Sequence, residues 1–217
     1  MRTLYHLWLS PFSRKVRIVL AEKNLEFTMK VEQVWDRRSD FLALNPAGEV
    51  PVLVESDNTV LSDSGAICEY LEEKLPDPNL LGIKPHERAE TRRLVMWFDK
   101  KFDREVTDLL VKEKVMKRFL GLGEPDSRVI RAAQQNIHTH LEYITFLTDR
   151  RHWLAGEALT LADIAAASHL STHLRRPSRS QRAAARRRQR WAASPTSRRA
   201  PARAGSIATA LSPLEVD

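Results

Sequence analysis

Leu44-Asn45-Pro46-Ala47-Gly48-Glu49-Val50-Pro51-Val52-Leu53-Val54 is the stretch on which the fold turns. Asn45 to Gly48 is a turn cluster. Val50 to Val54 has the apolar, β-branched content of a strand, yet it carries Pro51. Proline removes a ladder donor and is normally kept out of central strands. Toward the N-terminus, Thr3 to Leu9 reads as a short buried strand, and Pro11 suits the first turn of a helix. Val16, Val19, Leu20 and Lys23 follow at helical spacing. Leu25 to Val31 alternates like a second strand, and Trp35 to Leu44 reads as a loop with a short helix. Toward the C-terminus, Asn58 turns the chain into Thr59-Val60-Leu61, and Ser64 to Leu75 reads as a helix stopped by Pro76-Asp77-Pro78. The order β-α-β-α-β-β-α predicts a small α/β domain over residues 1–78.

Beyond a linker from Pro76 to Pro85, residues 86–172 read as helix throughout. Leu94, Phe98, Phe102, Val106 and Leu110 recur every four residues on one long helix. Pro125-Asp126-Ser127 starts another, with Ile130, Ala133, Ile137, Leu141 and Ile144 expected inside. Gly156 punctuates, and a third helix begins at Thr160. Thr160 is placed to cap it, with Asp163 reaching back as in a capping box and Leu159 and Ile164 set for a hydrophobic staple.

Charge divides the chain in two. Residues 1–172 hold 24 Lys and Arg against 26 acids, a net charge of −2. Residues 173–217 hold 11 Arg and no Lys against Glu215 and Asp217, a net charge of +9. The basic balance of the whole chain therefore belongs to its tail, and nothing in the folded part calls for nucleic acid. No run of apolar residues approaches the roughly 20 of a membrane span, and Met1-Arg2 leads into no secretory pattern. Cys68 is the only cysteine, which excludes an intrachain disulfide, a CxxC redox pair and a cysteine zinc cluster. No metal is expected, and a cytoplasmic setting is.

Three features fall at element joints: Ser10-Pro11-Phe12-Ser13 between the first strand and helix, Val50-Pro51 at the third strand, and Ser62-Asp63-Ser64 before the third helix. With them, Ser10 to Arg17, Leu44 to Leu53, Leu61 to Ile67 and Leu161-Ala162-Asp163 resemble the cytosolic glutathione S-transferase superfamily over residues 3–172. The resemblance implies a thioredoxin-like N-terminal domain, an all-α C-terminal domain and a homodimer. It implies glutathione as co-substrate and a small hydrophobic electrophile as its partner. Ser10 would stabilise the thiolate at a helix N-terminus, where backbone N–H groups and the dipole favour negative charge. Ser13 is its competitor, and a plain cap its structural alternative. Pro51 would be a cis-proline that aims the Val50 backbone at the cysteinyl part of glutathione. Ser64 would take the γ-glutamyl carboxylate, Asp63 the γ-glutamyl ammonium, and Glu49 would flank the site. Trp35, Asp36, Arg37 and Arg38 read as a solvated loop or a ligand wall. His138 and His140, two apart on a helix, make a poor metal pair.

Within that superfamily, Lys101 to Thr107 and Lys117 to Gly121 resemble an alphaproteobacterial subgroup that includes a division protein acting on FtsZ filaments. An FtsZ-binding role without catalysis is thus the second expectation. In residues 173–204, Arg, Ala, Ser and Pro make up 26 of 32 residues with no helical or strand period. That composition fits a disordered basic extension, an Arg-rich insertion, or a shifted reading frame in a GC-rich gene.

Overall fold

The computed structural model of the chain describes residues 1–174. The tail expectation for residues 173–217 lies almost wholly outside the described residues. Four strands form one mixed sheet: β1 (Arg2–His6), β2 (Phe27–Val31), β3 (Val52–Val54) and β4 (Val60–Ser62), in the order β2-β1-β3-β4. β1 pairs parallel with β2 and antiparallel with β3, and β3 pairs antiparallel with β4. Helices α1 (Pro11–Glu22), α2 (Ser39–Leu44) and α3 (Ser64–Lys74) complete a thioredoxin-like domain. Pro51 lies one residue ahead of the first paired residue of β3, so the central strand loses no ladder bond to it.

The helical domain opens with a continuous run of turns. α4 (Pro85–Met96) passes into a π-helical stretch (Trp97–Thr107), α5 (Asp108–Val111), a second π-helical stretch (Lys112–Met116) and α6 (Lys117–Phe119). The reason lies in the sequence. Four residues turn an α-helix through about 400°, so a strict spacing of four drifts about 40° per step. The wider π turns, closed by i→i+5 bonds, offset that drift. Leu94, Phe98, Phe102, Val106 and Leu110 consequently stay on one buried face.

α7 (Ser127–Thr148) departs from the expected pattern at one point. Leu141 faces outward, and His140 is buried in its place. Ala133, His140 and Leu147 are the buried residues of this helix, at heptad spacing. The imidazole is admitted because both nitrogens are engaged: Trp97 Nε1 donates to Nδ1 at 3.1 Å, and Nε2 meets Glu105 Oε2 at 3.2 Å.

α8 (Leu161–Leu174) joins the two cores. Leu161 and Ile164 pack with Leu4, Val16, Leu20, Leu53 and Ile67, while Ala162, Ala165 and Ala166 pack with Phe98, Phe102 and Val106. Its start has the anticipated cap: Thr160 N and Oγ1 both donate to Asp163 Oδ2 at 2.9 Å, and Ala162 N donates to Thr160 Oγ1 at 3.3 Å. Asp163 Oδ1 also accepts from Leu154 N at 2.8 Å, which ties the preceding loop to the helix. No helix among the described residues is long and apolar enough to cross a membrane.

Candidate functional site

The sheet topology brings four loops to one edge. His6 stands opposite Val31, Tyr5 opposite Val52, and Val52 opposite Ser62. β1, β2 and β4 run toward that row and β3 runs away from it. The loops leaving β1, β2 and β4 and the loop entering β3 therefore emerge together. These are the segments that hold Ser10, Trp35 to Arg38, Glu49 to Pro51, and Asp63-Ser64. The carboxyl ends of strands in an open α/β sheet are where ligands bind.

Ser10 caps α1. Its backbone is extended, Pro11 takes the first helical position, and Ser10 Oγ accepts from Ser13 N at 3.1 Å. A hydroxyl keeps its own hydrogen when it accepts, and no described residue takes the hydrogen of Ser10. Cap and donor thus coexist in one side chain. Ser13 is fully buried, with its Oγ accepting from Leu7 N at 3.4 Å, whereas Ser10 is half-buried. The α1 start has no acidic residue in its first turn, so the N-terminal field is not offset there.

The Val50–Pro51 peptide is cis. Asn45, itself buried, fixes the loop ahead of it: Nδ2 donates to Glu49 O at 2.9 Å, and Oδ1 accepts from Ala47 N at 3.2 Å. Gly48 is required here, because its φ is +70° and a Cβ would stand 3.1 Å from Leu42 Cδ2. Pro51 is buried, Val50 half-buried and Glu49 exposed.

Asp63, not Ser64, caps α3. Asp63 Oδ1 accepts from Gly65 N at 2.7 Å and Ala66 N at 3.1 Å. Its φ of 71° with ψ of 131° is a conformation that L-residues rarely adopt, and the two capping bonds hold it there. Ser64 becomes the first helical residue, 3% exposed. The Asp63 carboxylate remains exposed, with Oδ2 outside the capping bonds.

Phe12 and Trp35, which flank this edge, both engage the helical domain. Phe12 meets His169 edge-on at 5.4 Å between ring centroids, and Trp35 meets Phe119 at 5.1 Å. Arg14 binds the end of α8: Nη1 donates to Ser168 O, Ser171 Oγ and Thr172 Oγ1, each at 2.8 Å. Its Nη2 reaches Trp8 O at 3.3 Å. No local pattern points to this clamp, nor to Lys15, which is fully buried in an ion pair with Asp99. Behind the edge, His6 is buried against Trp8. Burial, and secondarily the Arg17 charge, lowers its pKa to about 4 and keeps the ring neutral. Burial raises Cys68 to about 12, which makes it a core thiol. The described residues contain no group of three or more His, Cys, Asp or Glu side chains placed to hold a metal ion.

Family models for the glutathione S-transferase N-terminal and C-terminal domains match residues 9–74 and 110–194. "FtsZ-localized protein A" of Caulobacter vibrioides is 47% identical over 173 residues, covering 78% of this chain and 76% of that protein. The chain belongs to the glutathione S-transferase family. Two solved structures agree. A glutathione S-transferase of Rhodospirillum rubrum superposes with a TM-score of 0.78 at 60% identity, covering 79% of this chain and 78% of that one. FzlA of C. crescentus superposes with a TM-score of 0.78 at 42% identity, covering 94% of both chains. Within this glutathione S-transferase fold, Ser10, Val50-Pro51 and Asp63-Ser64 share one strand-end edge.

Proposed function

We propose that this chain binds glutathione along the strand-end edge and presents its sulfur as a thiolate to a small hydrophobic electrophile. The observation that carries this reading is the half-buried Ser10 hydroxyl: it caps α1 by accepting from Ser13 N, and no described residue accepts from it. A free thiol with a pKa near 8.5 is only about 3% ionised at neutral pH, so any group that favours the anion gains nucleophile. Ser10 donates to the sulfur in a charge-assisted bond. The Val50 backbone pairs with the cysteinyl segment as an added strand would. The start of α3 with Ser64 receives the γ-glutamyl carboxylate, Asp63 Oδ2 receives the ammonium, and Glu49 stands beside them. In the conjugation step the thiol proton leaves to solvent, the sulfur forms a bond to carbon, and the displaced group departs with its electron pair. The working form is a cytoplasmic homodimer with no metal, its functional units residues 1–78 and 86–172. Stopped-flow mixing with a chromogenic aryl halide and glutathione tests conjugation. A rate no faster than the uncatalysed one overturns the catalytic half of this reading.

A second reading rests on a different observation, the 47% identity with FtsZ-localized protein A across most of both chains. In it the same fold binds FtsZ filaments and needs no turnover. Co-sedimentation of the full chain with assembled FtsZ, against unassembled FtsZ as control, tests it directly.

A further inference from the structure

The π-helical stretch carries Asp99, Asp103 and Thr107 at intervals of four, on a face other than that of Phe98, Phe102 and Val106. All three turn to one imidazole. His169 Nε2 faces Asp99 Oδ1 at 3.4 Å, and its Nδ1 faces Asp103 Oδ1 at 3.8 Å and Thr107 Oγ1 at 3.0 Å. The same cluster supports α1 at two points: Asp99 holds Lys15, and His169 meets the Phe12 ring in a T-shaped contact. Phe12 is two residues from Ser10. We propose that Asp103 and His169 are a proton-linked positioning pair that sets the start of α1, and with it Ser10.

The charges make the pair responsive. Lys15 balances Asp99. Asp103 is then balanced only while it carries a proton. The other charged groups acting on the pair are Asp108 and Lys112 on the long helix, paired to each other at 2.6 Å. From α7, His140 with Glu105 lies against the Phe102 ring, which also touches His169. Lys112, held by Asp108, pulls the Asp103 carboxyl down by less than burial and the neighbouring acids raise it. Burial foremost, with Asp108 and Asp99 adding to it against the opposing pull of His169, raises the Asp103 carboxyl to about 6. The contact is also long: Asp99 Oδ1 and His169 Nε2 are buried, stand 3.4 Å apart, and have no well-aligned hydrogen-bond partner among the described residues. Asp103 keeps 24% of its side chain exposed, so solvent can deliver and remove the proton.

The sign follows from linkage. The held arrangement binds the proton more tightly than one in which Asp103 is released to its ordinary value. The hold is therefore complete at low pH and weakens as pH rises through about 6. If release restores an ordinary carboxyl, opening becomes about tenfold more frequent between pH 5 and pH 8.

Hydrogen exchange on the full chain, corrected for intrinsic rates, tests this without any ligand and so independently of the proposed function. Protection of amides in residues 13–17 should fall about tenfold from pH 5 to pH 8, while segments from α3 hold constant. Asp103→Asn, which keeps shape without charge, should remain protected at both pH values. His169→Gln, which removes the Phe12 support, should be poorly protected at both. Asp103→Ser replaces Asp103→Asn if the latter does not fold. A flat wild-type profile, or the same pH dependence in the Asp103 variant, overturns the inference.

Discussion

Replacing Ser10 separates two functions that one oxygen performs. Its Oγ accepts from Ser13 N at 3.1 Å, and no described residue accepts its hydrogen, which the proposed thiolate would take. Ser10→Ala removes both. Loss of the cap should lower stability by about 1 kcal/mol, within a range of roughly 0.5–2. Loss of a hydrogen bond to a charged group should cost the bound thiolate about 1.5–3 kcal/mol. At about 1.4 kcal/mol per pKa unit, that raises the bound thiol by one to two units. Ser10→Gly discriminates, since glycine at a cap costs only a few tenths of a kcal/mol yet offers no hydroxyl. The assay pairs urea unfolding with ultraviolet titration of thiolate absorbance in the glutathione complex. Alanine should shift both measurements, and glycine should shift the thiol while sparing most of the stability. If both variants leave the bound thiol unshifted, Ser10 does not contact sulfur. If only alanine shifts it, the effect runs through the helix and the reasoning fails.

Three further outcomes concern the frame around the site. Lys23 Nζ is buried and reaches Glu72 Oε1 at 2.6 Å, Leu75 O at 2.7 Å and Pro78 O at 2.9 Å, the first an ionic approach and the other two hydrogen bonds. Lys23→Met should cost about 3–5 kcal/mol in urea unfolding because it strands a buried carboxylate, and a cost under 1 kcal/mol would contradict that role. Asp163→Ala removes three bonds, two from Thr160 and one from Leu154 N. It should lower stability by about 3 kcal/mol or more, with Asp163→Asn losing less, and equal losses would show that charge is not what the cap uses. Cys68, raised by burial to about 12, should resist an aromatic disulfide reagent at pH 8 in the native state and react on unfolding. Native labelling at the rate of a free thiol would contradict its burial.

The parts of this structure legible in the sequence are those written by local chemistry. Pro51 in a strand-like run, the Thr160-Asp163 cap, and the fourfold apolar ladder each announce themselves within a few residues. The spacing of four even held a clue to the π turns, since an ordinary helix cannot keep it on one face. Other features depend on partners far away in the chain. Lys15 sits on α1 like any solvated lysine, and only Asp99, 84 residues on, makes it a buried one. His140 displaced Leu141 from the interior because Trp97 and Glu105 satisfy both of its nitrogens. Asp63 and Ser64 are both good caps and adjacent, so the sequence could not choose between them. The backbone chose by placing Asp63 at positive φ. The Asp103–His169 pair was invisible for the same reason as Lys15, because it joins two helices through one ring.

Calorimetric titration of glutathione into the full chain tests the central claim most directly. The account predicts saturable binding at one site per chain, weakened about tenfold by Ser64→Ala, as expected for the loss of one hydrogen bond to a charged group. Absence of binding at millimolar glutathione, by protein shown to be folded and to sediment with FtsZ filaments, would contradict it and leave the filament-binding reading in its place.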